Sequence, residues 1–592
     1  MVRWFLAAAA VAATCVTALG QQVKVETFTL DNGMKFLLVP RTDQPNIIAA
    51  GWVAKVGSVN ERPGITGISH FFEHMMFKGT NTIGTSNPEK DAELRDAQRK
   101  VRDKLLNLHL TEQYRRFGAG EIDDPWDRLN DTAEMKELRS ELDRLMQEHK
   151  DVIVANEFDQ VYTSQGGSGM NAFTSSDLTF YFINVPSNKF ELWAWMESDR
   201  LNDSVFREFY AERDVVHEER RLRTESTPTG IYQEQFESIF WQSSPYHWPI
   251  IGWTSDLNSY TMDQALDYFN IYYRPNNLAG VIVGDFDPAE VKPIIERYFS
   301  RLKRGETAPP PVVTLEMKQL AEARMYAECD CQPQVEVRYH TVPFNHKDSF
   351  ALEMMANILN GRTGRLYKSL VEEQKIASTA SAMVSTAALG APAKYAGYFA
   401  FSAEVKGEAT PQQLEEAWYQ ELERLQTELV PERELQKVKN QVAANSYRRL
   451  QSNFFLLVQL GIYEGMGDWE YINEAPRKLQ AVTAEDIKRV ANIYFNKTNR
   501  AVAIYTRKPG LAPEDPEFLA LQEKLGPQMA DQVRRQLQGI KSQITDPAAL
   551  EKIITDIQTN LPRFPEQMRP GAEYMLTELR KLQDELAARK GS

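Results

Sequence analysis

The five residues from His70 to His74, which read His-Phe-Phe-Glu-His, constrain this chain more than any other feature. Two histidines four positions apart lie on one face of an α-helix, and this spacing allows both imidazoles to bind one metal ion. Glu73 follows His70 by three positions, so its carboxylate can face the same ion without binding it. Such a carboxylate is the general base of metal-dependent hydrolases, and H-x-x-E-H is the inverse of the commoner H-E-x-x-H motif.

The alternative to a metal site is a helix that carries two solvated histidines. The chain has 8 His and 82 acidic residues among 592, so chance would produce about 0.015 matches to this motif. The composition therefore favours the metal site.

The overall charge argues against one large class of function. The net charge is −14, and no cluster of Lys and Arg with interleaved aromatic residues offsets it, so we expect no nucleic-acid partner. The length allows two to four domains, and the hydrophobic content of 42% is sufficient for substantial cores.

The first twenty residues have the features of a cleavable signal peptide. Arg3 supplies a positive charge, residues 4–18 are apolar, and Ala18-Leu19-Gly20 resembles a cleavage site, so the mature chain is predicted to begin near Gln21. An uncleaved membrane anchor is the alternative, but the apolar stretch is short for a membrane span. No later segment is apolar enough to cross a membrane, so we expect a periplasmic or secreted protein.

Two cysteines, Cys329 and Cys331, remain after this cleavage. Their spacing is too close for an easy disulfide, and they are too few for a metal cluster. We expect them to be strand residues that face one side, and a redox switch is the less favoured alternative.

Composition and periodicity divide the rest of the chain. An N-terminal domain at 21–304 begins with a hairpin around an Asp-Asn-Gly turn and contains two charged helices, predicted to form an inserted helical hairpin at about 86–160. Most of the charged residues of these helices are expected to form a solvated face, although the hairpin could also dock a partner. A Pro-rich linker at 305–330 precedes a domain at 331–508 that repeats the order of elements of the first. Residues 509–592 are predicted to be a helical extension, either a packing arm or an oligomerisation element.

A catalytic zinc ion needs a third protein ligand, and the segment 212–219 is the best source of it. Glu212 and Glu219 are seven positions apart on a predicted helix and share a face. One of them can bind the metal while the other supports a histidine ligand from behind. An ordinary charged helix is the alternative for this segment considered alone.

Three motifs together resemble the insulinase/pitrilysin family of zinc metallopeptidases. They are HFFEHMMFKGT at 70–80, GMNAFTSSDLTFY at 169–181 and ERDVVHEE at 212–219, in the order that this family has. The resemblance extends over about 24–508 and leaves out the hairpin insertion and the C-terminal extension. It implies an α+β fold of two homologous α/β halves, each an antiparallel-rich sheet with helices on one face.

The same resemblance implies roles for individual residues. His70, His74 and Glu219 would bind one Zn²⁺ per chain, Glu73 would activate water, and Glu212 would support a histidine ligand. The family's edge strand, which binds an extended substrate by main-chain hydrogen bonds, corresponds to Asn171, Ala172, Phe173 and Thr174. In it, Asn171 would hold the substrate backbone and Phe173 would line a side-chain pocket. The implied reaction is hydrolysis of short peptides or unfolded protein segments inside a chamber formed by two half-chambers.

One departure from the family pattern bears on partners. Active members carry an Arg and, seven residues later, a Tyr in the C-terminal half, whereas Val371 and Ser378 stand at these positions here. We therefore expect a partner subunit to supply the missing pair, and a homodimer or heterodimer with a second family member. The alternative is a non-catalytic peptide-binding or assembly subunit of the same fold, but such degenerate members usually lose the H-x-x-E-H motif, which is intact here.

Overall fold

The computed structural model describes most of the chain after the predicted signal peptide, residues 1–20, which lies outside the described residues. The described ranges are 22–202, 204–385, 393–508, 516–544 and 547–590. No helix among them has both the length and the apolar character needed to cross a membrane.

The described residues form eleven strands and twenty-one α-helices, numbered here in chain order. The strands are β1 (Glu26–Thr29), β2 (Lys35–Pro40), β3 (Ile47–Ala54), β4 (Ser168–Thr174), β5 (Thr179–Pro186), β6 (Leu278–Gly284), β7 (Ala323–Cys329), β8 (Gln334–Thr341), β9 (Ala377–Val384), β10 (Gly397–Val405) and β11 (Arg500–Arg507). The helices of the first half are α1 (Ile68–Met75), α2 (Pro88–Leu108), α3 (Tyr114–Gly118), α4 (Ala133–Lys150), α5 (Glu157–Ser164), α6 (Phe190–Asn202), α7 (Phe209–Arg220), α8 (Gly230–Phe240), α9 (Thr254–Ser259), α10 (Met262–Tyr272) and α11 (Pro288–Phe299). The later helices are α12 (Ser349–Leu359), α13 (Pro411–Thr427), α14 (Glu432–Leu450), α15 (Asn453–Met466), α16 (Tyr471–Ala481), α17 (Ala484–Tyr494), α18 (Pro516–Leu525), α19 (Pro527–Gln543), α20 (Pro547–Asn560) and α21 (Arg569–Lys590).

The first sheet has six strands in the order β1-β2-β6-β3-β5-β4, so β4 lies at an edge. β2 and β6 are parallel, and the other neighbouring pairs are antiparallel. The predicted Asp-Asn-Gly turn joins β1 to β2. Gly33 in this turn has φ 92°, a left-handed conformation that glycine adopts at little steric cost.

The second sheet has five strands in the order β7-β11-β8-β10-β9. Only β7 and β11 are parallel. The chain therefore has the predicted α+β fold of two α/β halves, with two mixed sheets in which antiparallel pairs predominate.

The two halves exchange elements: a helix of each half packs against the sheet of the other half. The prediction placed helices on only one face of each sheet. The helices of the first half cover one face of the first sheet, and α15 from the second half packs against β3 and β6 on the other face. Gly461 and Gly465 allow this close approach, because a Cβ atom at either position would be within 2.7 Å of side-chain carbons of Phe180 and Leu178 respectively.

The second sheet receives an element from the first half in return. Phe236 and Phe240 of α8, followed by Trp241, form a buried cluster with residues of β7 and β11. Each sheet therefore has apolar residues buried on both faces, and on one of these faces the burial depends on the other half.

The inserted hairpin is present, and its base is anchored in the core of the first half. α2 and α4 pack together, and Leu94, Val101, Leu142 and Leu145 belong to the same apolar cluster as the helices around α1. At the base, Asp91 Oδ1 accepts hydrogen bonds from Arg207 Nε at 2.7 Å and from His149 Nε2 at 2.8 Å. All three side chains are almost fully buried.

The C-terminal extension is helical, as predicted, and its helices pack on one another. Three of the four, α18, α19 and α20, begin with proline, which is well tolerated in the first turn of a helix. Two small apolar clusters hold the four helices together.

The expectation for the cysteines was wrong. Cys329 and Cys331 form a disulfide, with their Cα atoms 5.2 Å apart. Cys329 is the last residue of β7, so the chain leaves the strand at this point and the two side chains can meet.

Candidate metal centre

Helix α1 presents the H-x-x-E-H motif, and a buried carboxylate fixes where this helix begins. Gly67, at the N-terminal cap, has φ 87°, and a Cβ atom there would be 2.4 Å from the carbonyl oxygen of Ile251. Glu61 accepts hydrogen bonds from the backbone N–H groups of Gly67 and Ser69, both at 2.7 Å. Burial raises the pKa of Glu61 to about 8, despite these two hydrogen bonds.

His70, His74 and Glu219 meet at one point between α1 and α7. One potential ligand atom from each residue lies within 4.8 Å of the other two. His74 Nε2 is 3.2 Å from Glu219 Oε2, and His70 Nε2 is 3.7 Å from Glu219 Oε1. Zn²⁺–ligand bonds of 2.0–2.1 Å in a tetrahedral site place ligand atoms about 3.3 Å apart. The donor set and its spacing therefore fit a zinc ion with a fourth position open.

Glu212 holds His74 in position from behind. His74 Nδ1 lies 2.8 Å from Glu212 Oε1, so that Nδ1–H donates to the carboxylate and Nε2 faces Glu219. Lys78 Nζ lies 2.6 Å from Glu212 and 3.2 Å from Glu208. Burial is the largest single effect and opposes ionisation of both His74 and Glu212, but their hydrogen bond and charges, together with Glu219 beside His74 and Lys78 beside Glu212, outweigh it. As a result, the pKa of Glu212 is below its usual value and the pKa of His74 is raised to about 9.

His70 has a different environment. Its ring is buried, and its Nδ1 atom has no hydrogen-bond partner among the described residues. Burial and the neighbouring His74 lower the pKa of His70 to about 4. The His70 imidazole is therefore neutral at pH 7 without a metal ion.

Glu73 lies between this site and the edge strand. Its Oε2 atom accepts a hydrogen bond of 2.6 Å from the hydroxyl of Thr174, the last residue of β4. Burial raises the pKa of Glu73 above its usual value. A cavity of about 480 Å³ opens beside Glu73 and His74 and extends to Asn171 and the start of α5.

The four residues of the predicted substrate strand occupy the free edge of the first sheet. Asn171, Ala172, Phe173 and Thr174 pair on one side with Phe182, Tyr181, Phe180 and Thr179 of β5. Asn171 is exposed, and its Oδ1 atom accepts the backbone N–H of Ala172 at 2.8 Å. Phe173 is half-buried and packs against Phe180 and Phe182.

Three residues that hold the site were not identified from the sequence. Lys78 pairs with Glu212, Glu61 caps α1, and Arg223 forms an ion pair with Glu219. Arg223 follows Glu219 by four positions, so helical spacing could have indicated this pair. Lys78 lies beyond the end of α1, and its partner Glu212 is far away in the sequence, so spacing could not have indicated it. No comparable signal links Glu61 to the helix.

Val371 and Ser378 lie in the second half, where the family pattern would place Arg and Tyr. Val371 is partly buried against the apolar core, in a π-helical segment at Tyr367–Glu373. Ser378, in β9, lies 3.3 Å from a carboxylate oxygen of Glu404. Neither side chain carries the charge or the ring of the residues expected in active members.

The fold and the site define a two-half α/β protein with an inverted zincin motif. Residues 38–95 match the family described as Insulinase (Peptidase family M16), and residues 259–442 match the Peptidase M16 inactive domain. The chain therefore carries domains of the insulinase family, peptidase family M16, as its three motifs implied.

Relatives and solved structures agree with this assignment. The zinc protease PqqE of Helicobacter pylori is 27% identical over 484 residues, which span 80% of this chain and 91% of that protein. The crystal structure of a protease from Helicobacter pylori has a TM-score of 0.65 at 25% identity and covers 82% of this chain and 100% of its own. The periplasmic protease PqqL from Escherichia coli has the same fold, with a TM-score of 0.60 at 18% identity over 86% of this chain and 51% of its own.

Proposed function

We propose that this chain is an exported zinc-dependent endopeptidase. One observation carries the proposal: potential ligand atoms of His70, His74 and Glu219 lie within 4.8 Å of one another. Glu73 lies beside them, on the helix that carries the two histidines. Two imidazoles and one carboxylate are a catalytic zinc donor set, and the relatives named zinc proteases support the same metal. The apolar N-terminal segment and the periplasmic name of the Escherichia coli protein support export.

In this proposal, His70, His74 and Glu219 bind the ion, and Glu212 fixes the ring of His74 through Nδ1. When bound, zinc supplies Lewis-acid chemistry and lowers the pKa of water. Glu73 Oε1 accepts the proton from the attacking water and delivers it to the leaving amine. Thr174 orients this carboxylate, because its hydroxyl occupies Oε2 and leaves Oε1 for the proton.

The substrate is proposed to be a short peptide or an unfolded segment that adds to β4 as a further strand. β4 is an edge strand, and its unpaired side can bind an extended chain by main-chain hydrogen bonds. Thr174 at the end of β4 contacts Glu73 directly, so a peptide bound along Asn171–Thr174 would carry its backbone towards the proposed base. The cavity of about 480 Å³ beside Glu73 offers room for a side chain of that peptide.

The first test is cleavage of a quenched, unstructured peptide by the mature chain, with and without a chelator. Glu73→Gln should abolish cleavage and retain about one zinc per chain, because Glu73 is not a ligand. Glu219→Gln should lose the metal. Glu89→Gln, which changes an exposed carboxylate at the start of α2, is the matched control and should behave like the wild type. A chain that binds no zinc would contradict the proposal.

We also propose that a second, different family member completes the site. Val371 and Ser378 do not provide the Arg and Tyr expected in the second half. A chain that binds zinc but cleaves only after a partner is added would support this. Full activity of a monomer would refute it, and zinc binding with no cleavage under any pairing would favour the non-catalytic subunit.

A further inference from the structure

A second cavity lies on a different side of α7 from the proposed zinc site. It has a volume of about 380 Å³ and is enclosed by the inserted hairpin, α7 and α9. We call it the junction cavity, and the four arginines that line it are Arg102, Arg128, Arg139 and Arg213. Arg102 comes from α2 and Arg213 from α7, so the two elements bring these cationic side chains together from positions far apart in the sequence.

The positive charge of the junction cavity is only partly balanced. Arg139 forms an ion pair with Asp131, and Arg213 donates from Nη2 to Asp214 at 2.9 Å. Glu218, the other carboxylate in the lining, pairs with Arg221. Arg102 has no ion pair with any described residue, and its one hydrogen bond to protein runs from Nη2 to the carbonyl oxygen of Asn258 at 2.6 Å.

Several side-chain nitrogen atoms around the junction cavity have no hydrogen-bond partner among the described residues. They are Arg102 Nε, Arg213 Nε and Nη1, Trp126 Nε1 and His217 Nε2. Arg102 and Arg213 are only 4% and 5% exposed, and a buried, unpaired charged donor costs several kcal/mol. Burial and the nearby Arg213 also hold the pKa of Arg102 well below its usual range. These buried, unpaired groups favour the binding of an anion.

We propose that the junction cavity binds a phosphate-type oxyanion through Arg102 and Arg213. The planar guanidinium group presents pairs of N–H donors that match the oxygen atoms of a phosphate group. The volume also leaves room for a small organic group, so inorganic phosphate and a phosphate monoester share the chemistry that the site recognises. The bound anion joins the inserted hairpin to α7, the helix that also carries Glu212 and Glu219.

The test is calorimetric titration of the chelator-treated mature chain with inorganic phosphate. Removing the metal first separates this site from any anion that binds to zinc, so the outcome does not depend on the proposed peptidase activity. Glycerol phosphate tests the monoester, acetate tests a simple carboxylate, and chloride at equal ionic strength tests general screening. We expect saturable binding of one phosphate-type anion per chain, and weaker or no binding of acetate.

Arg102→Gln should weaken phosphate binding about 10- to 100-fold, the value of one charge-assisted hydrogen bond. It should also raise the melting temperature in phosphate-free buffer, because it removes a buried unpaired charge. Arg128→Gln is a second variant at an exposed position that does not threaten folding, and it should weaken binding several-fold. Arg144→Gln, an exposed arginine on α4 paired with Glu148, is the matched control and should bind as the wild type does.

Three outcomes would overturn the proposal. They are the absence of saturable binding of either phosphate compound, equal binding by Arg102→Gln and the wild type, and equal thermal stabilisation by chloride and phosphate. Tighter binding of glycerol phosphate than of inorganic phosphate would assign the site to a phosphate monoester, and the reverse order would assign it to the free ion.

Discussion

Alanine at Gly461 tests most directly how the two halves of the chain are joined. Gly461 lies in α15, and a Cβ atom at this position would be 2.6 Å from Cζ and 2.7 Å from Cε2 of Phe180. Phe180 is fully buried, and its ring packs against Phe173 and Phe182, with centroids 6.0 and 5.6 Å away. The ring cannot move aside, so the helix must shift away from the sheet.

The size of the effect follows from this geometry. Carbon atoms in ordinary contact are about 3.5–4.0 Å apart, so α15 must move by about 1 Å. Overpacking of this kind costs about 2 kcal/mol, whereas replacing Gly by Ala inside a helix stabilises it by about 1 kcal/mol. We therefore expect Gly461→Ala to lower the free energy of unfolding by about 1 kcal/mol.

The assay is urea unfolding of the full chain, followed by tryptophan fluorescence. Gly118→Ala is the matched control, because Gly118 is also helical and no atom lies within 4 Å of a Cβ atom built there. It should be stabilising or neutral. In a Phe180→Leu background the clash is relieved, so Gly461→Ala should no longer destabilise. The reasoning is refuted if Gly461→Ala is as stable as Gly118→Ala with Phe180 in place.

Two further predictions concern the site and the insertion. Glu212→Gln should weaken zinc affinity about 10- to 100-fold, because His74 loses the carboxylate that orients it. Competition with a chelating dye measures the zinc affinity. An unchanged affinity would contradict the proposal that Glu212 orients His74. Burial alone would raise the pKa of Asp91, but hydrogen bonds from His149 and Arg207, together with the charges of Arg207 and Arg95, outweigh it and hold the pKa below its usual 3.8. A depressed carboxyl pKa stabilises the fold above the unfolded pKa, so this contribution should be complete at pH 7 and be lost as the pH falls below about 4. Asp91→Asn should therefore be destabilised by about 3–5 kcal/mol at pH 7, and melting curves should show the difference from wild type shrinking in acid rather than staying constant.

The parts of the site that depend on local spacing could be predicted from the sequence. The positions of His70, Glu73 and His74 follow from one helical turn. The pairing of Glu212 with His74, and of Glu219 with both histidines, requires α7 to lie against α1, and only the resemblance to a family indicated that. The hydrogen bond from Thr174 to Glu73 joins residues 101 positions apart, and no periodicity could indicate it.

The fold could be predicted as two halves, but the exchange of elements between them could not. The sequence of α15, NFFLLVQLGIYEGM, is mostly apolar, which indicates a buried helix without indicating what buries it. Its contact with β3 and β6 depends on Gly461 and Gly465 facing Phe180 and Leu178. The disulfide was missed for a similar reason, because sequence spacing alone did not show that β7 ends at Cys329.

The exchange also makes the first half dependent on the second, although the second lacks the H-x-x-E-H motif. Apolar residues of the first sheet face the second half, including Leu37, Val39, Val53, Val281 and Val283. We expect a fragment of residues 22–304 to expose these residues and to aggregate or bind a hydrophobic dye, whereas a fragment of residues 22–508 folds, because it retains α15. Zinc binding by a monomeric, dye-negative 22–304 fragment would contradict this.

The dependence gives the second half a physical role even without ligands of its own. It covers the face of the sheet on which Phe180 supports the edge strand, and through Thr174 that strand holds Glu73 in place.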